Sequence, residues 1–145
     1  MTACLVEQHA TRAPNVNELY APVTTGLATL SSTLAADATD ASAPFTAIAA
    51  GETFGVDFNP VPDRLRVVDT AGNNLRINVA TGATLTDGVI NGAATTGVIA
   101  AAYINSFAGT TATTLYDLDA TTLFTQTPPN DGTLVAVGAT GVTAV

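Results

Sequence analysis

Apolar and β-branched residues along this chain fall in short runs, each bounded by Gly, Asn, Asp or Pro. Leu65-Arg66-Val67-Val68-Asp69 reads as one strand, followed by the turn Ala71-Gly72-Asn73, the strand Leu75-Arg76-Ile77-Asn78, the turn Thr81-Gly82 and a strand from Ala83 to Thr86. The same plan returns in Leu115-Tyr116-Asp117-Leu118-Asp119, Leu123-Phe124-Thr125-Gln126, the turn Pro128-Pro129-Asn130-Asp131-Gly132 and Leu134-Val135-Ala136-Val137. Each copy is a meander of three strands joined by residues that favour tight turns. Phe54 to Phe58, Val98 to Ile104 and Val142 to Val145 supply further strands, the fourth members of such units. Helix is scarce: Thr33 to Ala43 has the propensity but no apolar period, and Ile99 to Tyr103 is β-branched and aromatic at its ends.

A third start at Leu19-Tyr20 makes the pattern a repeat. The leading residues Leu19, Leu65 and Leu115 lie 46 and 50 residues apart, the size of a propeller blade. The expectation is one all-β domain over residues 1–145, a propeller-like array of about three antiparallel meander repeats near 16–60, 61–110 and 111–145. Propellers close with about four to eight blades, so three repeats leave an incomplete ring with unpaired strand edges.

Composition sharpens this picture by exclusion. Apolar residues are 47% of the chain, which separates it from disordered sequences, and charged residues only 11%, against about 25% in a typical soluble domain. Polarity comes instead from 26 Thr, beside 27 Ala and 12 Gly. All four basic residues are Arg, so a Schiff-base enzyme or a phosphate-binding lysine loop has no lysine to use. The net charge of -8 and pI near 4.1 oppose nucleic-acid binding. Gly97 to Ala108, the most apolar stretch, is broken by Asn105 and Ser106, short of the ~18 apolar residues of a membrane span. The first fifteen residues contain Glu7, His9 and Arg12 and do not read as a secretory signal. Cys4, the single cysteine, can form no internal disulfide.

Candidate chemistry is sparse. His9 is the single histidine, and no serine sits in a Gly-x-Ser-x-Gly elbow, so a hydrolase triad is not expected. Asp57, Asp63 and Asp69 surround one leading strand; Asp117, Asp119 and Asp131 surround the next. Strand alternation puts Asp117 and Asp119 on one face, and with Asp131 or loop carbonyls they could hold a hard cation such as Ca²⁺; no other cofactor is implied. Solvated turn carboxylates are the plainer reading. Arg64, Arg66 and Arg76 fall in one predicted hairpin, with Arg76 expected on the diagonal from Arg66. They suit local pairing with Asp57, Asp63 or Asp69, or docking onto an acidic patch of another subunit, or capture of an anion. Tyr20, Tyr103, Tyr116, Phe45, Phe54, Phe58, Phe107 and Phe124 suit core packing, with sugar stacking open to any exposed tyrosine.

The run Phe54-Gly55-Val56-Asp57-Phe58-Asn59-Pro60-Val61-Pro62-Asp63-Arg64-Leu65-Arg66-Val67-Val68, then Gly72-Asn73-Asn74-Leu75-Arg76-Ile77-Asn78 and Thr81-Gly82, resembles a domain-of-unknown-function family of secreted bacterial proteins, often with C-terminal sorting signals. Ala101 to Gly109, Thr114-Leu115-Tyr116 and Gln126 to Leu134 look like its continuation, and residues 1–18 depart from it. The resemblance implies a propeller-like β repeat in an extracytoplasmic setting and no established activity. The expected function is therefore a non-catalytic structural or adhesive protein, secreted or at the cell surface, that self-associates into a ring or filament. A calcium- or carbohydrate-binding module, with a glycan as partner, is the alternative.

Overall fold

The computed structural model describes residues 34–40 and 49–142. Over them the protein is all-β: two five-stranded sheets and one single-turn 3-10 helix, Pro129–Asp131, with no closed barrel. The first sheet contains β1 (Ala35–Ala36), β2 (Phe54–Asn59), β3 (Arg64–Asp69), β4 (Asn74–Ile77) and β5 (Ala83–Thr86) in the order β1-β5-β4-β3-β2. The second contains β6 (Asn91–Gly92), β7 (Ala100–Tyr103), β8 (Leu115–Leu118), β9 (Thr122–Gln126) and β10 (Thr133–Ala139) in the order β6-β10-β9-β8-β7. Each sheet is thus a four-stranded antiparallel meander, with a two-residue strand from earlier in the chain added in parallel to its last member.

The eight meander strands match the runs read from sequence to within a residue or two, and Leu65 and Leu115 take equivalent places, each on the second meander strand. The turns that follow are built alike. Asp69 Oδ1 accepts the amides of Ala71 and Asn73 at 3.1 and 2.9 Å, and Asp119 Oδ1 accepts those of Thr121 and Thr122 at 2.7 and 2.6 Å. The phase of the repeat differs from the expected one. Phe54–Asn59 pairs with Arg64–Asp69, and Ala100–Tyr103 with Leu115–Leu118, so each opens its own sheet and does not close the preceding unit. The units therefore do not divide at 60/61 and 110/111. The short β1 and β6 carry no apolar pattern, and Ala35–Ala36 is strand where helical propensity is high. The Leu19 segment, His9, Cys4, Tyr20, Phe45 and residues 143–145 lie outside the described residues.

Packing follows the alternation of side chains across each strand. Val68 on β3 meets Ile90, Val98, Phe124 and Leu134 in a core between the sheets. On the opposite face of the first sheet Val67, Leu75 and Ile77 form a second core with Leu34, Phe54, Val56 and Leu65. Both faces of the first sheet are thus buried. The second sheet turns Leu115, Asp117, Phe124 and Leu134 inward, while its outer face carries Ala100, Ala102, Tyr116, Leu118, Leu123, Thr125 and Val135. Among the described residues no strand packs on that face, and Val135 is 49% exposed.

Candidate functional site

Among the described residues, most of the buried polar side chains collect where the two sheets meet. β2 and β7 approach so closely that a Cβ on Gly55 would lie 2.5 Å from the amide nitrogen of Ala101, a spacing that admits only glycine. Beside this contact Asp57 Oδ2 accepts the Tyr103 amide at 2.6 Å, so a β2 side chain takes a donor from the edge of the other sheet.

Arg66 lies next to Asp57 in register and directly opposite Arg76, not on the diagonal. It is 1% exposed. Its Nη1 donates to Asp87 Oδ2 at 2.5 Å and to Asn74 Oδ1 at 2.7 Å, its Nη2 to Asn130 Oδ1 at 2.9 Å and its Nε to the Tyr103 hydroxyl at 3.2 Å. Asp87 also receives Arg76, from Nε at 2.6 Å and from Nη2 at 2.8 Å. One carboxylate thus spans two guanidiniums that would otherwise repel across a strand pair. A buried guanidinium is tolerated because its donors are matched by fixed acceptors.

The segment joining the sheets holds Asp87 in place. The Asp87 amide donates to Asn74 O at 2.9 Å, the Gly88 amide to Asn130 O at 2.9 Å and the Asn91 amide to Gly132 O at 2.9 Å. Asn74 closes the network by donating to Gly88 O at 2.9 Å and Pro129 O at 3.0 Å. Gly132, with φ of +71°, lies against the Gly88 and Val89 carbonyls, a close approach and a left-handed backbone that both require glycine.

Of the arginines singled out in the sequence, the structure brings Arg66 and Arg76 together on Asp87. Arg64 instead donates to the carbonyls of Pro62 at 3.1 Å and Asp63 at 2.9 Å, bracing its own turn. The expected partners Asp57, Asp63 and Asp69 are not the acceptors of these guanidinium hydrogen bonds. Docking by Arg66 onto another subunit has no exposed surface to use; Arg76 is partly exposed, beside a groove lined by Thr39, Asp40, Leu85 and Asp87. Asp87, the centre of the network, is not singled out by the sequence, where it is only one acid of an Asp-Gly pair after a strand. Its signal was its place after the strand Ala83 to Thr86, at the end nearest Arg76.

The three aspartates considered for Ca²⁺ have separate roles. Asp117 is fully buried in the seam, Asp119 binds its own turn and Asp131 sits exposed on the 3-10 turn. Among the described residues no three His, Cys, Asp or Glu side chains gather into a metal-binding group. Tyr103 and Phe124 are buried, Tyr116 is half-buried and Phe107 is 58% exposed. Burial raises the Asp117 carboxyl to about 7, against a smaller lowering by the nearby Arg66 guanidinium. No helix of the described residues is long and apolar enough to cross a membrane.

A family model described as a domain of unknown function, DUF4394, matches residues 11–145. No curated protein and no solved structure matches the chain.

Proposed function

We propose that this chain, which belongs to the DUF4394 family, is a non-catalytic structural or adhesive β-repeat protein whose sheets stack as in a propeller and whose last sheet continues the stack onto another copy. One observation carries the reading. The first sheet's Arg66 and Val68 face is sealed by the second sheet, whereas among the described residues no strand packs on the matching face of the second sheet, where Tyr116 and Leu118 are half-buried.

That face carries Ala100, Ala102, Tyr116, Leu118, Leu123, Thr125 and Val135, none of them charged. In a chain of net charge -8, an uncharged, largely apolar face is where two copies meet with least repulsion. Beyond the two residues of β10 that pair with β6, the outer edge of that strand has no partner strand among the described residues, giving a second surface for main-chain association. The setting outside the cytoplasm, secreted or at the cell surface, rests on the resemblance of the two long motifs.

The test is sedimentation and multi-angle light scattering across a wide concentration range, on the wild type and on Val135→Lys. Mass rising with concentration in the wild type, and its loss in the variant with an unchanged melting temperature, is the expected result. A wild type that stays monomeric throughout overturns the reading.

A further inference from the structure

The pairing network of the seam leaves one buried acid out. Asp117 on β8 is fully buried, flanked by Ala101 on β7 and Phe124 on β9, and neither of its carboxyl oxygens has a hydrogen-bond partner. Gln126 Oε1, also buried, lacks one too. The register pairs Leu115 with Gln126 and Asp117 with Phe124, so Asp117 and Gln126 share a face on a strand diagonal, within reach of longer side chains. Three acceptor atoms thus face the first sheet without a donor. A carboxylate can only accept, whereas a carboxylic acid donates.

We propose that Asp117 is held in the folded protein as a neutral acid whose proton is the missing donor, and that its ionisation loosens the packing of the second sheet on the first. The seam is in this sense a proton-operated lock.

Charge around the site supports this. β3 presents Arg66, β2 Asp57, β4 Arg76, the segment after β5 Asp87 and β7 the Tyr103 hydroxyl; β9 presents uncharged Phe124 and Gln126, and β10 uncharged Leu134. Two carboxylates already balance two guanidiniums, so an ionised Asp117 adds an unmatched negative charge in a region closed to water. Arg66 favours that charge, but its donors are directed at Asp87, Asn74, Asn130 and Tyr103.

The direction of the pH effect follows. Unfolded, the group titrates near 3.8; folded, near 7. Stability from this group is complete below the unfolded value, falls as pH rises between the two, and is flat above the folded value.

The experiment is urea unfolding of the full chain from pH 4 to pH 8, wild type against Asp117→Asn, with isotope-edited infrared spectra of the aspartate carboxyls in the wild type. The folding constant of the wild type, divided by that of the variant, is expected to fall up to about tenfold per pH unit inside the window. A protonated-carboxyl band is expected to persist at pH 5 to 6, where exposed aspartates are ionised. Parallel pH curves for the two proteins, or a wild-type spectrum with no such band at pH 5 to 6, overturn the proposal. The spectrum decides alone if the variant does not fold.

Discussion

On β3 the first sheet places Arg66 and Val67 side by side; at the matching positions of β8 the second sheet places Tyr116 and Asp117. The backbone plan is the same, and so is the Asp-headed turn after each strand. The faces are not interchangeable. The Arg66 side of the first sheet meets the Asp117 side of the second, while Val67 looks into an apolar core and Tyr116 toward an open surface. A repeat that stacks in one direction has a front and a back to every sheet. Polar groups can therefore be concentrated at one junction while the faces beyond it remain apolar.

The comparison breaks most visibly at its arginine. Arg66→Met leaves Asp87 with Arg76 alone and removes the donors that join Asn74, Asn130 and Tyr103. Breaking a buried ion pair costs about 3–5 kcal/mol, whereas Tyr116→Met at the equivalent, half-buried position should cost on the order of 1 kcal/mol or less. Urea denaturation of the two variants measures the contrast directly. Equal losses would mean that the two faces are energetically alike.

Asp117→Val makes the second sheet copy the first at the residue beside the arginine position. At pH 8 it replaces a buried acid with a side chain of similar size, and a gain of roughly 1–4 kcal/mol is expected. The gain should shrink toward pH 4, because the folded acid is neutral there and the unfolded one, close to its own value of 3.8, is only partly ionised, so little ionisation penalty remains to be removed. Thermal melts at the two pH values test this, and a gain independent of pH would assign the effect to packing.

The strands were legible because their signals are local. Leu65 to Asp69 and Leu115 to Asp119 stand between turn residues that announce themselves, and the turn aspartates recur at the same offset. The sheet partition was less legible, since Phe54–Asn59 is joined to Arg64 by the short turn Pro60 to Asp63, and nothing local says that this hairpin opens a unit. β1 and β6, two residues each, are held by pairing with the last strand of each meander and carry no pattern of their own. At the seam, the grouping of Arg66 with Arg76 was visible from strand alternation. Their acceptor, Asp87, and the burial of Asp117 depend on contacts between segments far apart in sequence.

The smallest expected effect separates a sealed surface from an open one by a single methyl group. In Gly55→Ala the new Cβ would meet the Ala101 amide nitrogen at 2.5 Å and Ala100 C at 2.6 Å, backbone atoms that cannot swing aside. β2 and β7 must part, at about 1–3 kcal/mol. Gly138→Ala, on the outer side of the second sheet, puts its Cβ where nothing lies within 4 Å, and stability should stay within about 0.5 kcal/mol. Chemical denaturation of the pair tests the stacking at its tightest point. Near-neutral behaviour at Gly55 would show that the sheets have slack where they touch. A large loss at Gly138, accompanied by a fall in mass by light scattering, would instead show that a second copy is seated on that face.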